Sequence, residues 1–260
     1  MKKMLFAAAL LAALITVAAA QDSRLPQASL DREVDVRVPA RAAVLGNPPH
    51  VAPGAPSYCK PCLFYAGDFD SNASDANGLA NENDLIVSGG NTGTYAPFVV
   101  PKGKTWTVTK LFSSEFLSAA VLDPAKTPYE VRKGIPVAGG TGGKLVCHGT
   151  VKGSPVVTGL NGFGFNVYAV TVKAAKCSLK GGKYWMSVIA QCTNANDSSC
   201  QNSYRGFTTN DDGAMAHHFG PKEPANNSFF NSVFFGAVWA PSSGFQSSSR
   251  FTEGVVGTQQ

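Results

Sequence analysis

A loop rich in oxygen-bearing side chains lies between Asp68 and Asp84. Nine of its seventeen residues are Asp, Asn or Glu, and it holds five of the 17 acidic residues of a chain whose formal net charge is +5. Calcium takes six to eight oxygen ligands from carboxylates, amides, carbonyl groups and water. The loop therefore predicts a structural calcium site with these ligands: Asp68, Asp70, Asn72, Asp75, Glu82 and Asp84.

This loop does not follow the EF-hand pattern. Ala73 stands where that pattern has Gly, and Leu79 stands where it has the bidentate Glu. Calcium binding would therefore require Glu82 or Asp84 to fold back as the closing ligand. The alternative is a connector whose Asp and Asn side chains cap their own backbone in Asx turns.

Other catalytic or metal-binding motifs are absent from the sequence. There is no Gly-x-Ser-x-Gly nucleophile elbow, and the four histidines do not show the His-x-x-x-His or His-Glu-x-x-His spacing of zinc hydrolases. His217 and His218 adjoin Asp211 and Asp212, but adjacent side chains of a strand diverge, so we expect no shared metal ion. The Gly-Gly-Lys at 142–144 lacks the first Gly and the final Ser or Thr of a phosphate-binding loop.

An acidic pair for glycoside hydrolysis stays open at the level of sequence. Such a pair needs two carboxyl groups about 5–10 Å apart. Glu115, Glu130 and Glu223 are distant in sequence, so only folding could bring two of them together. Nothing in their sequence context selects them, and we assign no catalytic and no cofactor-binding residue.

Aromatic residues offer a second kind of binding chemistry, because exposed rings stack on sugars in carbohydrate-binding modules. Trp185 and Tyr95 are the candidates for ligand stacking. Tyr184 and Trp185 must point to opposite faces of their strand, so at most one of them enters the core on a given side. Most other aromatic residues lie in strongly apolar runs, and we expect them to pack in the core.

The six cysteines predict disulfides, because an even number in a secreted chain is the usual sign of a disulfide framework. Six cysteines allow fifteen connectivities. Local pairing favours three bridges: Cys59–Cys62, Cys147–Cys177 and Cys192–Cys200.

The Cys59-Lys60-Pro61-Cys62 segment has the spacing of a thioredoxin-type redox motif. A low thiolate pKa requires a helix N-terminus or a nearby cation. No helix is expected here, because residues 63–66 continue as a strand. The pattern therefore favours a structural bridge over a redox site.

The first twenty residues have the features of a secretory signal peptide. Lys2 and Lys3 form a positively charged start, an apolar run extends from Met4 to Val17, and three Ala at 18–20 form a small-residue cleavage site. The apolar run is too short for a spanning helix, and no second one follows. We therefore expect a secreted chain, periplasmic or extracellular, without a transmembrane segment after cleavage.

The charge of the chain argues against nucleic acid as a partner. Removal of Lys2 and Lys3 with the signal peptide leaves 20 basic and 17 acidic residues, a net charge of +3. These basic residues form no continuous run in the sequence, whereas nucleic-acid binding proteins carry a basic patch or stripe.

The sequence predicts an N-terminal arm followed by one domain. Residues 21–57 hold several Pro among Ala and Gly, which indicates a flexible arm or extended linker. Within it, Val34 to Val38 alternates in polarity and could add an edge strand to the domain or to a neighbouring molecule. The domain itself is expected to span residues 58–260.

Short β-type runs separated by turn residues fill that domain. Thr105 to Leu111 alternates between two faces, and only Ser113 to Leu122 could form a helical turn. The pattern predicts an all-β fold, a two-sheet antiparallel sandwich or jelly roll. The expected strands are 58–66, 84–88, 95–100, 104–112, 144–151, 165–173, 183–191, 203–208, 229–239 and 250–256.

Four segments together resemble the secreted β-sandwich ectodomains of Gram-negative bacteria. They are Tyr65 to Asp70, Ala76 to Asn81 with the following Glu82 to Asp84, Pro101-x-Gly103-x-x-Trp106, and Tyr184-Trp185. Many such ectodomains carry a PEP-CTERM sorting tail, which this sequence lacks. The resemblance implies a fold and an extracellular location, and it implies no particular activity.

These features together favour a secreted binding or surface-interaction module with a calcium loop. The expected partners are an extracellular polysaccharide or a surface protein. Two alternatives stay open: a secreted hydrolase acting on polysaccharide, and a self-assembling matrix or filament subunit that associates through its N-terminal arm.

Overall fold

The chain is an all-β protein, as the sequence predicts. The computed structural model describes residues 54–70, 78–84, 90–116, 126–135, 142–162, 165–191, 204–206, 217–222, 227–232, 239–244 and 250–260. One short 3-10 turn, Ser242–Gly244, is the helical element within these ranges. Within the same ranges, no helix is long and apolar enough to cross a membrane. The predicted signal peptide and nearly all of the predicted arm lie outside the described residues.

Thirteen strands make up the described part of the fold. Their bounds are β1 Cys62–Tyr65, β2 Gly78–Ala80, β3 Glu82–Asp84, β4 Gly90–Phe116, β5 Thr127–Lys133, β6 Lys144–Val151, β7 Gly153–Gly162, β8 Phe165–Val188, β9 Ala190–Gln191, β10 Tyr204–Gly206, β11 Phe229–Ser232, β12 Ala240–Pro241 and β13 Glu253–Gln259.

Hydrogen bonds connect these strands into one sheet that is built around β4 and β8. The main path through the sheet runs β1-β13-β4-β8-β5-β6, and β7 pairs with β8 beside it. All neighbouring strands are antiparallel except β3 and β9. The finer prediction of a two-sheet sandwich or jelly roll stays a prediction.

The two longest strands each replace a predicted strand–turn–strand unit. The sequence predicts a turn at Pro101–Gly103, between strands 95–100 and 104–112, but β4 continues through it. It also predicts a turn at 180–182, ahead of strand 183–191, but β8 continues through that segment. The two irregular segments face each other, with Val100 opposite Gly182 and Thr105 opposite Lys180. The glycines and the proline therefore form a bulge in a continuing ladder.

A second irregularity changes which residues of β4 enter the core. The register shifts between Val108 and Lys110. Leu111 consequently packs in the same cluster as Trp106 and Val108, instead of on the face opposite to them as the simple alternation predicts. The suggested helical turn from Ser113 is also wrong as far as Phe116, because these residues complete β4.

Four strands lie outside every segment that the sequence pattern predicts as a strand: β2, β5, β7 and β12. β5 shows clear alternation, since Thr127, Tyr129 and Val131 are buried and the residues between them are half-buried, but Pro128 obscured it. β7 contains Pro155, which an edge strand tolerates because one side of the strand needs no ladder hydrogen bonds.

Buried residues lie on both faces of the central strands, except that one face is exposed over 105–110 of β4 and 173–180 of β8. A cluster that includes Phe98, Trp106, Leu111 and Tyr184 covers one face. The other face carries separate aromatic clusters, one around Phe112, another around Phe116, and a third that contains Tyr95, Trp185, Phe229 and Trp239. Tyr184 and Trp185 therefore point to opposite faces, as predicted, and both are nevertheless in the core.

Two of the three predicted disulfides are present. Cys59 is bonded to Cys62 immediately before β1, and Cys147 on β6 is bonded to Cys177 on β8. The segment after Cys62 continues as a strand, which is the reason given for a structural bridge. The predicted Cys192–Cys200 pair lies outside the described residues.

We expect the Cys147–Cys177 bridge to stabilise the fold more than the Cys59–Cys62 bridge. Cys147 and Cys177 are 30 residues apart in sequence, whereas Cys59 and Cys62 are 3 residues apart. The entropy that a crosslink removes from the unfolded chain grows with the length of the loop that it closes. Double substitution to Ala should lower the free energy of unfolding by about 3–4 kcal/mol at 147 and 177 and by about 2 kcal/mol at 59 and 62. Chemical denaturation of the two variants measures this, and a larger loss from the short bridge would contradict it.

Candidate functional site

A groove lined by lysines lies where the bulges of β4 and β8 face each other. Its cavity volume is about 620 Å³. Four lysines contribute to the wall, two from each strand. The lining residues are Val99, Val100, Lys102, Gly103, Lys104, Thr105, Lys180, Gly181, Gly182 and Lys183.

Glycine makes this geometry possible. A Cβ atom on Gly181 would lie 2.8 Å from the Pro101 carbonyl oxygen and 3.0 Å from the Lys102 Cα, which is closer than real Cβ contacts come. Gly103 has a φ of 79°, a conformation that residues with a side chain rarely adopt. The two strands can therefore cross closely while four residues of β4 bulge out opposite Gly181.

The lysine side chains surround the groove without acidic partners. Among the described residues that line it none is acidic, and none of the four lysines forms an ion pair with another described residue. Partial burial lowers the pKa of Lys183, whose Nζ lies 4.8 Å from the centre of the Trp185 ring. Lys133 adds a fifth ammonium group beside the groove, 5.5 Å from the Tyr184 ring centre.

Concentrated ammonium groups around a concave surface attract anions. Each positive charge raises the potential in the groove, and a concave wall of low dielectric focuses that potential. Partial burial among the four lysines is limited to Lys183, since the other three are exposed.

Of the predicted calcium ligands, Asp68 is held by two residues of the fold. The Tyr65 hydroxyl donates to Asp68 Oδ1 at 2.5 Å, and His217 Nδ1 is hydrogen-bonded to Asp68 Oδ2. The Tyr58 hydroxyl lies 3.4 Å from that of Tyr65. His217 adopts a φ of 59° in this arrangement.

The remaining predicted ligands are only partly described. Asp70 is exposed at the end of its described range, whereas Asn72 and Asp75 lie outside the described residues. The backbones of Glu82 and Asp84 belong to β3, which pairs with β4 and β9. Within the described residues no three His, Cys, Asp or Glu side chains gather as a metal site would require. The calcium site therefore stays a prediction.

Asn81, from the same acidic stretch, has a structural role in the core. Its amide donates to Glu115 Oε1 at 2.8 Å and to the Val188 carbonyl at 2.6 Å, and its carbonyl accepts from the Thr94 N–H at 3.0 Å. The Ser113 hydroxyl lies 2.5 Å from the same Glu115 oxygen. Both Asn81 and Glu115 are fully buried, so this network joins the link between β2 and β3 to β4 and β8 inside the fold.

Glu130 belongs to a different cluster. Its Oε2 accepts from Arg132 Nε at 2.5 Å and from the Tyr95 hydroxyl at 3.0 Å. The Arg132 guanidinium also lies 4.7 Å from the Trp239 ring centre. Glu130 lies opposite Ser187 in the ladder between β5 and β8. Its neighbours Tyr129 and Val131 face the central cluster, so Glu130 points to the other face of the sheet. Glu130 and Glu115 therefore point to opposite faces. Glu223 lies outside the described residues.

The two residues expected to stack on a ligand are buried. Trp185 and Tyr95 are each 5% exposed. The indole of Trp185 donates to the Asn227 carbonyl at 2.8 Å, and Tyr95 packs 4.3 Å from Trp239, measured between ring centres. Both rings therefore contribute to the core, because the face of the sheet that they occupy is covered and not exposed to solvent.

The lysine groove was missed by the sequence analysis. Its lysines come from two segments about eighty positions apart, so neither segment alone forms a basic run. The available signal was a matched pair of patterns, Lys-Gly-Lys at 102–104 and Lys-Gly-Gly-Lys at 180–183. The hydrogen bond between Asp68 and His217 was also missed, and the sequence spacing of these two residues does not indicate it.

Comparison with known proteins identified no relative. A scan against protein-family models found no match, and a search of curated proteins also found none.

The tyrosine pair beside Asp68 predicts a loss of stability in alkali. Burial raises the pKa of Tyr58 to about 12 and raises that of Tyr65 well above its usual value of 10.0. Below pH 10 both are protonated in the folded and unfolded states, so they add no pH dependence there. As the pH rises from about 10 towards about 12, the unfolded chain loses these protons first, and folding loses about 1.4 kcal/mol per pH unit per tyrosine.

Denaturant titrations of the wild type and of Tyr58→Phe at pH 8, 10 and 11 measure this effect. The stability of the wild type relative to Tyr58→Phe should fall by about 1 kcal/mol between pH 10 and pH 11. A difference between the two proteins that is the same at pH 8 and pH 11 would show that Tyr58 is not protected by the fold.

Proposed function

We propose that this chain is a secreted module that binds an extracellular polysaccharide or a surface protein and catalyses no reaction on it. One contrast carries the proposal. The residues that line the open concave surface include four lysines and three glycines and no acid, whereas Glu115 is fully buried and both Glu115 and Glu130 are hydrogen-bonded within the fold.

A polysaccharide hydrolase would need a different arrangement. Glycoside hydrolysis requires two carboxyl groups on opposite sides of one scissile bond. Glu115 and Glu130 point to opposite faces of the sheet, and Glu115 is fully buried, so the two could not flank a single sugar. The described residues thus favour binding over hydrolysis.

The architecture suits a binding role. Long strands that pack on a buried cluster and are crosslinked by a disulfide between β6 and β8 hold the groove in one geometry, and a preorganised site loses little entropy when a ligand binds. The predicted signal peptide supports an extracellular location, and so does the resemblance to secreted ectodomains of Gram-negative bacteria.

Retention on polysaccharide tests the proposed function. The secreted chain is passed over immobilised acidic and neutral polysaccharides and over intact bacterial surfaces, and the same mixtures are assayed for newly formed reducing ends. We expect retention on at least one material without release of sugar. Release of reducing ends that disappears in Glu130→Gln would establish the hydrolase instead, and failure to bind any material would refute the proposal.

We also propose that the loop from Asp68 to Asp84 holds a structural calcium ion. An ion that binds only the folded state stabilises it by about 2.7 kcal/mol when its concentration is a hundred times the Kd. The melting temperature should therefore be higher in calcium than in chelator. Asp70→Asn with Asp75→Asn should abolish this difference, and Asp197→Asn should preserve it. Identical melting curves for the wild type in calcium and in chelator would refute the site.

A further inference from the structure

We propose that the lysine groove between the bulges of β4 and β8 binds a polysaccharide that carries carboxylate groups. This inference rests on the proposed binding function and assigns its site and the chemical class of its ligand. It follows from the charge, the shape and the side-chain chemistry of the groove.

The charge of the groove calls for an anionic ligand. Lys102 and Lys104 approach from β4, and Lys180 and Lys183 approach from β8. Like charges held close together repel one another, and the lowered pKa of Lys183 shows that its surroundings solvate the ammonium poorly. Negative groups placed among the four lysines would remove this repulsion and replace the missing solvation.

The shape of the groove fits a single extended chain. Its two walls come from different strands, and three of its ten lining residues are glycines, which place backbone and no side chain at the surface. A flat lipid surface would contact the lysine ammonium groups first, and the lining residues Val99 and Val100 would stay without contact. A thin polymer can lie between the walls and contact both.

Side-chain chemistry and spacing narrow the class of anion. Arginine forms two parallel hydrogen bonds to a carboxylate or a phosphate, whereas lysine acts as a compact, strongly hydrated point charge. Among the lining residues all the cations are lysines and none is aromatic. Single-stranded nucleic acids are usually held by aromatic rings that stack on the bases, and such rings are lacking in the described wall. Four separate point charges match single negative charges that repeat along a sugar chain, as the carboxylates of a uronic acid polymer do.

The backbone holds the lysines in place before a ligand arrives. Ladder pairs Val99–Lys183 and Thr105–Lys180 flank the bulge on both sides. Gly181 packs against the backbone of Pro101 and Lys102. The two halves of the groove are thereby fixed relative to each other, so ligand binding needs only side-chain adjustment.

The test compares two charge-matched variants of the secreted chain. One replaces the groove lysines with Gln: K102Q, K104Q, K180Q and K183Q. The other replaces four exposed lysines elsewhere: K110Q, K152Q, K173Q and K222Q. Affinities for polygalacturonate are measured at low and moderate salt, beside dextran, dextran sulfate, single-stranded oligothymidylate and vesicles that contain phosphatidylglycerol.

We expect the groove variant to lose at least about tenfold in affinity for polygalacturonate, because each exposed charge contact contributes modestly and four are removed together. The matched control should lose less than about threefold, and added salt should weaken binding by the wild type. Melting temperatures within a few degrees of the wild type confirm folding. If the quadruple variant unfolds, the pair K102Q and K104Q is used, with an expected loss of at least about threefold.

Four results would overturn the inference. Equal losses in the groove and control variants would show attraction by overall charge alone. Tighter binding of oligothymidylate, vesicles or dextran sulfate, lost in the groove variant, would assign the groove to another ligand. Binding of a neutral polysaccharide that the groove substitutions leave unchanged would uphold the proposed function and refute this site. Failure of the wild type to bind any probe, with no retention on any tested surface, would refute both.

Discussion

The antiparallel pairing of β4 with β8 is the constraint on which the rest of the structure depends. It runs from Ala96 opposite Met186 to Phe116 opposite Val167. The strands β3, β10, β11 and β13 pair with β4, and β5 and β7 pair with β8. Flanking strands and a buried cluster enclose much of the backbone of these two strands, and enclosed backbone groups must find partners in the ladder. A break in this ladder would leave polar groups buried and would detach most of the sheet.

The groove arises where this constraint is relaxed. A bulge allows extra residues on one strand to face a single residue on the other, and it bends the strand locally. Here Pro101, which has no N–H to donate, lies in the bulge, while Gly181 permits the close crossing that keeps the two strands paired on either side. The sheet thus stays continuous and gains a concave surface. Lysines of both strands line that surface.

The two described glutamates and the groove lysines have different surroundings in this fold. Glu115 lies in a buried hydrogen-bond network with Asn81 and Ser113. Glu130 accepts hydrogen bonds from Arg132 and Tyr95. Buried carboxylates require such hydrogen bonds because their desolvation is costly. The lysines remain at the surface of the groove, where long side chains keep their charged ends in water. The acids therefore stabilise the scaffold, and the bases are left available to a ligand.

The all-β class, the opposite orientation of Tyr184 and Trp185 and the position of β6 at Lys144–Val151 could be predicted from sequence, because alternation and turn residues are local properties. The Cys147–Cys177 bridge was favoured among fifteen possible connectivities, but it spans 30 residues and forms only when folding brings the two cysteines together. Tertiary structure makes β4 and β8 continue through their glycines, since a bulge in one strand is stable only beside a matching strand. It also decided that Trp185 and Tyr95 are buried, that Asp68 contacts His217, and that lysines from two distant segments share one groove, because each of these depends on which strands become neighbours.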